Sequence, residues 1–187
     1  MSRIGLLGGT FDPPHIGHLI IAQEVCQALK LDKVWFIPTY EPPHKNTVKV
    51  DATKRVELLK LAIKDNLSFA INTIEIDRAG KSYTIDTINI LKEMYPETDF
   101  YFIIGADMVE YLPNWYKINE LIDFIQFVGV KRPGYKLVSN YPIVEVDVPM
   151  VDVSSTIIRE RIQRNESIQY LVPDCVHTYI KERGLYE

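Results

Sequence analysis

Short apolar runs alternate with longer stretches of helical periodicity along this chain. Arg3 to Leu7 reads as a strand, interrupted by Gly8-Gly9. From Ile16 to Lys30 the apolar positions Ile16, Leu19 and Ile20, and Ile21, Val25 and Ala28, recur at helical spacing. Lys33 to Pro38 is strand-like, and a polar, proline-rich loop from Thr39 to Lys49 follows it. Asp51 is placed to cap a helix carrying Val56, Leu59 and Ile63. Ile71 to Ile76 alternates apolar and polar, as a strand with one wet face does. Ser82 or Thr84 opens the next helix, with a face of Ile85, Ile88, Leu91 and Met94, and Pro96 ends it.

Phe100 to Ile104 and Phe124 to Val130 are nearly continuous apolar runs, the pattern of strands covered on both faces. Val144 to Val148 is a shorter candidate. Helices are expected at about Ser155 to Arg164 and Pro173 to Arg183, with Pro173 suited to a first turn and Gly184 just past the end. Strand and helix in alternation imply right-handed crossovers, a mainly parallel sheet and an α/β class. Such sheets bind ligands beyond the carboxyl ends of their strands, which directs attention to the loops after Leu7, Ile37, Ile104 and Val130.

Length and composition narrow this picture. The 187 residues suit one domain spanning 1–187. A hydrophobic fraction of 47% with 25% charged residues is that of a globular protein. The net charge of −4 offers no broad field for a polyanion, so no nucleic-acid partner is expected. Cys26 and Cys175 lie in no metal-ligand spacing and read as buried free thiols. No apolar stretch approaches the roughly 20 residues of a membrane span. The expected location is the cytoplasm, with no membrane partner.

The first of those loops carries the strongest chemistry, Gly8-Gly9-Thr10-Phe11-Asp12-Pro13-Pro14-His15-Ile16-Gly17-His18. Two glycines allow a sharp turn and close approach of a ligand to the main chain. The free amides of the following helix start, with the positive end of its dipole, favour a phosphate. His15 and His18 are three apart and project from one helical face toward that position, with Gly17 leaving the space between them open. A second segment, Val153-Ser154-Ser155-Thr156-Ile157-Ile158-Arg159, repeats the device: hydroxyls and amides at a helix start, with a guanidinium one turn in.

These residues carry a resemblance. His15-Ile16-Gly17-His18 after a first strand is similar to the H-x-G-H signature of the nucleotidylyltransferase superfamily, whose Rossmann-like, doubly wound sheet has helices on both faces. Class I aminoacyl-tRNA synthetases share the four residues but are much longer and bring further loops that this chain lacks.

Three further stretches resemble the bacterial nicotinate mononucleotide adenylyltransferases, along nearly the whole chain. They are Glu41-Pro42-Pro43-His44-Lys45, Ser82-Tyr83-Thr84-Ile85-Asp86-Thr87, and Gly105-Ala106-Asp107 on to Trp115. The resemblance implies transfer of AMP from ATP to nicotinate mononucleotide (NaMN), giving deamido-NAD and pyrophosphate. It assigns His15, His18 and Arg159 to catalysis. ATP falls to these three with Gly8, Gly9, Thr10, Phe11, Gly105, Asp107, Ser154, Ser155 and Thr156. In the acceptor site Trp115 stacks on the pyridine ring, amides around Tyr83 and Thr84 take its carboxylate, and His44, Lys45 and Arg132 meet phosphate. Mg2+ arrives on the ATP phosphates, and no protein metal site is expected. A sister transferase acting on nicotinamide mononucleotide or phosphopantetheine, and a nucleotide sensor without turnover, stay as alternatives. Oligomeric state is open, a homo-oligomer included.

Overall fold

The computed structural model describes residues 1–41, 48–131, 137–149 and 151–187. Among the described residues six strands form one sheet: β1 (Ser2–Gly9), β2 (Lys33–Pro38), β3 (Phe69–Ile71), β4 (Thr98–Gly105), β5 (Gln126–Val130) and β6 (Ile143–Val146). Every pairing is parallel, in the order β3-β2-β1-β4-β5-β6. β1 is therefore central, with Leu7 opposite Phe36 on one side and Ile103 on the other. The chain leaves β1 toward β2 on one side and leaves β4 toward β5 on the other. The loops after β1 and β4 thus diverge and open a crevice, the switch point where such sheets bind ligands.

The helices are α1 (Ile16–Ala28), α2 (Ala52–Ile63), α3 (Ile74–Arg78), α4 (Thr84–Met94), α5 (Ala106–Tyr111), α6 (Ile118–Phe124), α7 (Ser155–Gln163) and α8 (Asp174–Arg183). Because side chains alternate across a strand, β1 sends Ile4 and Leu6 into one core with Ile85, Ile88 and Leu121. Leu7 goes into a second core with Val25, Leu59 and Val128. A third cluster joins Leu58 of α2, Ile158 of α7, and Val176 and Ile180 of α8, with Ile16 packed against it. That cluster holds the start of α7 beside the start of α1.

The expected caps are present: Asp51 accepts the Lys54 amide at 2.9 Å, and Gly184 takes the left-handed turn after α8 with φ 57°. Four expectations are corrected. The strand at Ile71 to Ile76 ends at Ile71, because the Asn72 side chain accepts the Ile74 amide at 3.1 Å and turns the chain into α3. Phe124 closes α6, and β5 begins only at Gln126. On α2 the inward position is Arg55 rather than Val56, and on α4 Met94 is exposed rather than packed.

Candidate active site

β1 continues through Gly8 and Gly9, so the glycines are strand residues and the sharp turn falls on Phe11, at φ 51°. A β-carbon on Gly9 would lie 3.0 Å from the Phe11 ring; glycine here makes room for the turn's own side chain. Phe11 is buried, with its ring 5.7 Å from Phe36, so it shapes the loop from below and shows no side chain to a ligand. Thr10 lends its carbonyl to Arg55 at 2.8 Å. Gly8 stays open at the strand's end.

The histidine pair is brought together as expected. The His15 and His18 rings stack at 3.7 Å with 23° between their planes, and Phe11 meets His18 edge-on at 4.9 Å. His15 is buried and His18 half-buried. The His15 amide donates to His18 Nδ1 at 3.2 Å. In the neutral ring the proton then sits on His18 Nε2, away from the backbone.

Two details depart from the sequence reading. The amides opening α1 are largely engaged: Ile16 donates to the Leu171 carbonyl at 3.1 Å and His18 to the His15 carbonyl at 3.0 Å. Gly17 is required by packing rather than by a ligand, since a β-carbon there would lie 3.0 Å from Val153 and 3.1 Å from His15 Nδ1.

α7 is stitched onto this loop. The Ser155 hydroxyl donates to the Pro13 carbonyl at 2.8 Å, and Arg159 donates to the Asp12 carbonyl at 2.8 Å. Ser154 caps α7 through the Ile157 amide at 3.2 Å, and Arg159 also reaches the Thr156 hydroxyl at 3.4 Å. Two of the expected phosphate hydroxyls thus hold the site's own backbone. The first two helical amides, of Ser155 and Thr156, stay outside the helix's own bonding. The guanidinium keeps further donors beyond the two in use.

Across the switch point, Gly105 ends β4 and leads into α5, which holds Asp107 exposed in its first turn. Tyr83 precedes α4 and Thr84 is its first residue. The Tyr83 ring packs 5.1 Å from Tyr116. Trp115 is half-buried, edge-on to Phe102 at 5.8 Å and Phe127 at 5.9 Å, and its indole Nε1 is buried with no partner among the described residues. His44, Lys45 and Arg132 lie outside the described residues. Among the described residues no cluster of histidine, cysteine, aspartate and glutamate is arranged to hold a metal, and no helix is long and apolar enough to cross a membrane.

Residues 6–161 match the family model described as cytidylyltransferase-like. The nicotinate-nucleotide adenylyltransferase of Bacillus subtilis is 53% identical over 188 residues, covering 100% of both chains. A Geobacillus thermodenitrificans relative named for the same activity is 54% identical over 187 residues, covering 100% of this chain and 87% of its own. The chain belongs to the nicotinate-nucleotide adenylyltransferase family. In fold it is similar to the Plasmodium falciparum nicotinic acid mononucleotide adenylyltransferase solved with NaAD. The TM-score is 0.83 at 18% identity, over 100% of this chain and 98% of that one.

For an adenylyltransferase of this kind, the sequence reading missed a layer beneath the loop. Asp12, Arg55 and Tyr186 are buried there. Arg55 left a trace, as a charge at the inward spacing of Leu58 and Leu59; Tyr186 left none, because only tertiary contact places it. A second missed group lies under α4. Glu75 is buried and accepts the Thr87 hydroxyl at 2.8 Å, and its carboxyl is pushed up mainly by burial, with Thr87, Ser82 and Arg78 pulling the other way. Ser82 accepts the Tyr40 amide at 3.0 Å, tying the start of the loop after β2 to the segment just before α4.

Proposed function

We infer that this chain, as one functional unit, moves AMP from ATP to nicotinate mononucleotide, releasing pyrophosphate and forming deamido-NAD. The observation that carries the reading is the stacked histidine pair at the β1/β4 switch point, with Arg159 anchored across from it on the Asp12 carbonyl. An acceptor phosphate oxygen attacks the α-phosphorus in line. A new P–O–P linkage forms as the bond from the α-phosphorus to the bridging oxygen of pyrophosphate breaks. The acceptor is already an anion near neutral pH, so no general base is needed, and the protein's work is alignment and charge stabilisation.

In this reading His18 donates from Nε2 to an α-phosphate oxygen and His15 backs it by stacking. The Ser155 and Thr156 amides and Arg159 receive the leaving pyrophosphate. Gly8 leaves the main chain open to the nucleotide, and Asp107 accepts from the ribose. On the acceptor side, the free amides at Thr84 suit a carboxylate, and the exposed part of Trp115 suits a planar ring, with Tyr83 assigned to the same site. The resemblance adds His44, Lys45 and Arg132 for the acceptor phosphate. Magnesium enters with ATP as part of the substrate, held by phosphates and water. The free thiols Cys26 and Cys175 fit a reducing, cytoplasmic setting.

Pyrophosphate release from ATP, measured against the nicotinate and nicotinamide mononucleotides and phosphopantetheine, tests the assignment. Preference for the nicotinate form is expected. Dominant turnover of the amide form would replace the acceptor, and no turnover with any of the three would favour a nucleotide sensor.

A further inference from the structure

The transfer as proposed leaves a group of buried polar side chains without a task, and their bonds converge on one residue. Asp12 is 3% exposed and Tyr186 9%. Asp12 Oδ1 accepts the Tyr186 hydroxyl at 2.8 Å, and Oδ2 accepts the Lys49 amide at 2.7 Å. The carbonyl of the same residue accepts Arg159 at 2.8 Å. Arg55, 1% exposed, donates to the Thr10 carbonyl at 2.8 Å and the Val50 carbonyl at 3.2 Å, and its charge faces Asp12. Both oxygens of the Asp12 carboxylate and its main-chain oxygen are thus fixed by different parts of the chain.

We propose that Tyr186 is a positioning residue for the transfer reaction: by holding the Asp12 carboxylate, it fixes the carbonyl on which the Arg159 guanidinium is aimed. The proposal rests on the function inferred above. Geometry supports it from both ends. Tyr186 has φ 71°, a left-handed conformation uncommon for an aromatic residue, and its ring packs into the third core cluster with the hydroxyl turned toward residue 12. A buried phenol is unfavourable unless its hydroxyl is paired, and here the partner is a carboxylate, which makes the bond a strong one. Burial first, and the adjacent Asp12 charge second, push the phenol well above its usual range, so it stays a donor at every working pH. At Lys49 the same carboxylate also anchors the chain shortly beyond Lys45 in sequence. The hydroxyl therefore acts on the reacting phosphates only through Asp12 and Arg159.

Tyr186→Phe keeps the ring in its cluster and removes only the donor. With ATP and nicotinate mononucleotide, kcat is expected to fall about tenfold, while the acceptor KM stays within about twofold and the melting temperature within a few degrees. Arg159→Ala should then cost distinctly less in the Tyr186→Phe background than in the parent, because one route serves both. Unchanged kcat, or loss of the fold in Tyr186→Phe, would overturn the proposal in favour of a purely structural role. Additive costs of the two substitutions would overturn the route through Asp12. Turnover by the unaltered chain is the control that tests the inferred function separately; if that fails, both readings fall.

Discussion

The helix starts of α1 and α7 meet at the same crevice but present their polar groups in opposite ways. At α1 the backbone is committed to the fold: Ile16 is bonded to Leu171, His18 to His15, and Gly17 is pressed against Val153. In the proposed reaction this tip therefore acts through side-chain chemistry, an imidazole N–H whose tautomer is set by the His15 amide on Nδ1. At α7 the hydroxyls are committed, Ser154 to its own helix and Ser155 to Pro13, while the first amides and much of the guanidinium remain. One tip concentrates its contribution in a few ring atoms. The other spreads it over main chain and a charged fork.

That contrast orders the expected damage. His18→Ala removes an oriented donor for which the α1 backbone has no substitute, so kcat should fall roughly a hundredfold to a thousandfold. The fold should persist, and steady-state turnover beside a thermal melt checks both; near-normal turnover would break the comparison outright. At α7 the loss should be shared. Arg159→Lys keeps the charge but not the fork that holds the Asp12 carbonyl and, in the proposed reaction, a phosphate, and a drop in kcat/KM for ATP of about tenfold is expected, with the amides still contributing. A loss as large as that of His18→Ala would show that α7 is no more distributed than α1. The smallest kinetic effect is expected from Gly17→Ala. Its new methyl must displace Val153 or the His15 ring, which should lower stability by about 1–3 kcal/mol in urea titration, with a modest fall in kcat. Unchanged stability would mean that the two tips are less tightly packed than the 3.0 Å approach indicates.

Much of this frame was legible because it is local. β2 runs from Lys33 to Pro38 as expected, Asp51 caps α2, and the chain turns left-handed at Gly184. The histidine pair and the α7 segment were recognisable from residue type and spacing. Where two periodicities coincide, reading failed: Ile71 to Ile76 alternates like a strand, but Asn72 and Thr73 are turn formers and their side chains break it. Gly8-Gly9 reads as the turn because glycine is the usual carrier of unusual backbone, whereas a buried aromatic, Phe11, carries it here under tertiary constraint. The layer of Asp12, Arg55 and Tyr186 was invisible for another reason. Its members are scattered along the chain, and nothing in any one of their neighbourhoods announces the others.

The bond between Asp12 and Tyr186 spans 174 residues, and β1, made first, has β4 as its second neighbour. During synthesis the first strand can pair early with β2, but its other edge must wait for residues 98–105. The loop after β1 then waits for residue 186 before the Tyr186 hydroxyl reaches Asp12. A partly made molecule can therefore own a large share of its sheet while the proposed phosphate site is still loose. Long-range closure of this kind is slow compared with local helix formation, so competence should lag behind compactness as the protein emerges from the ribosome.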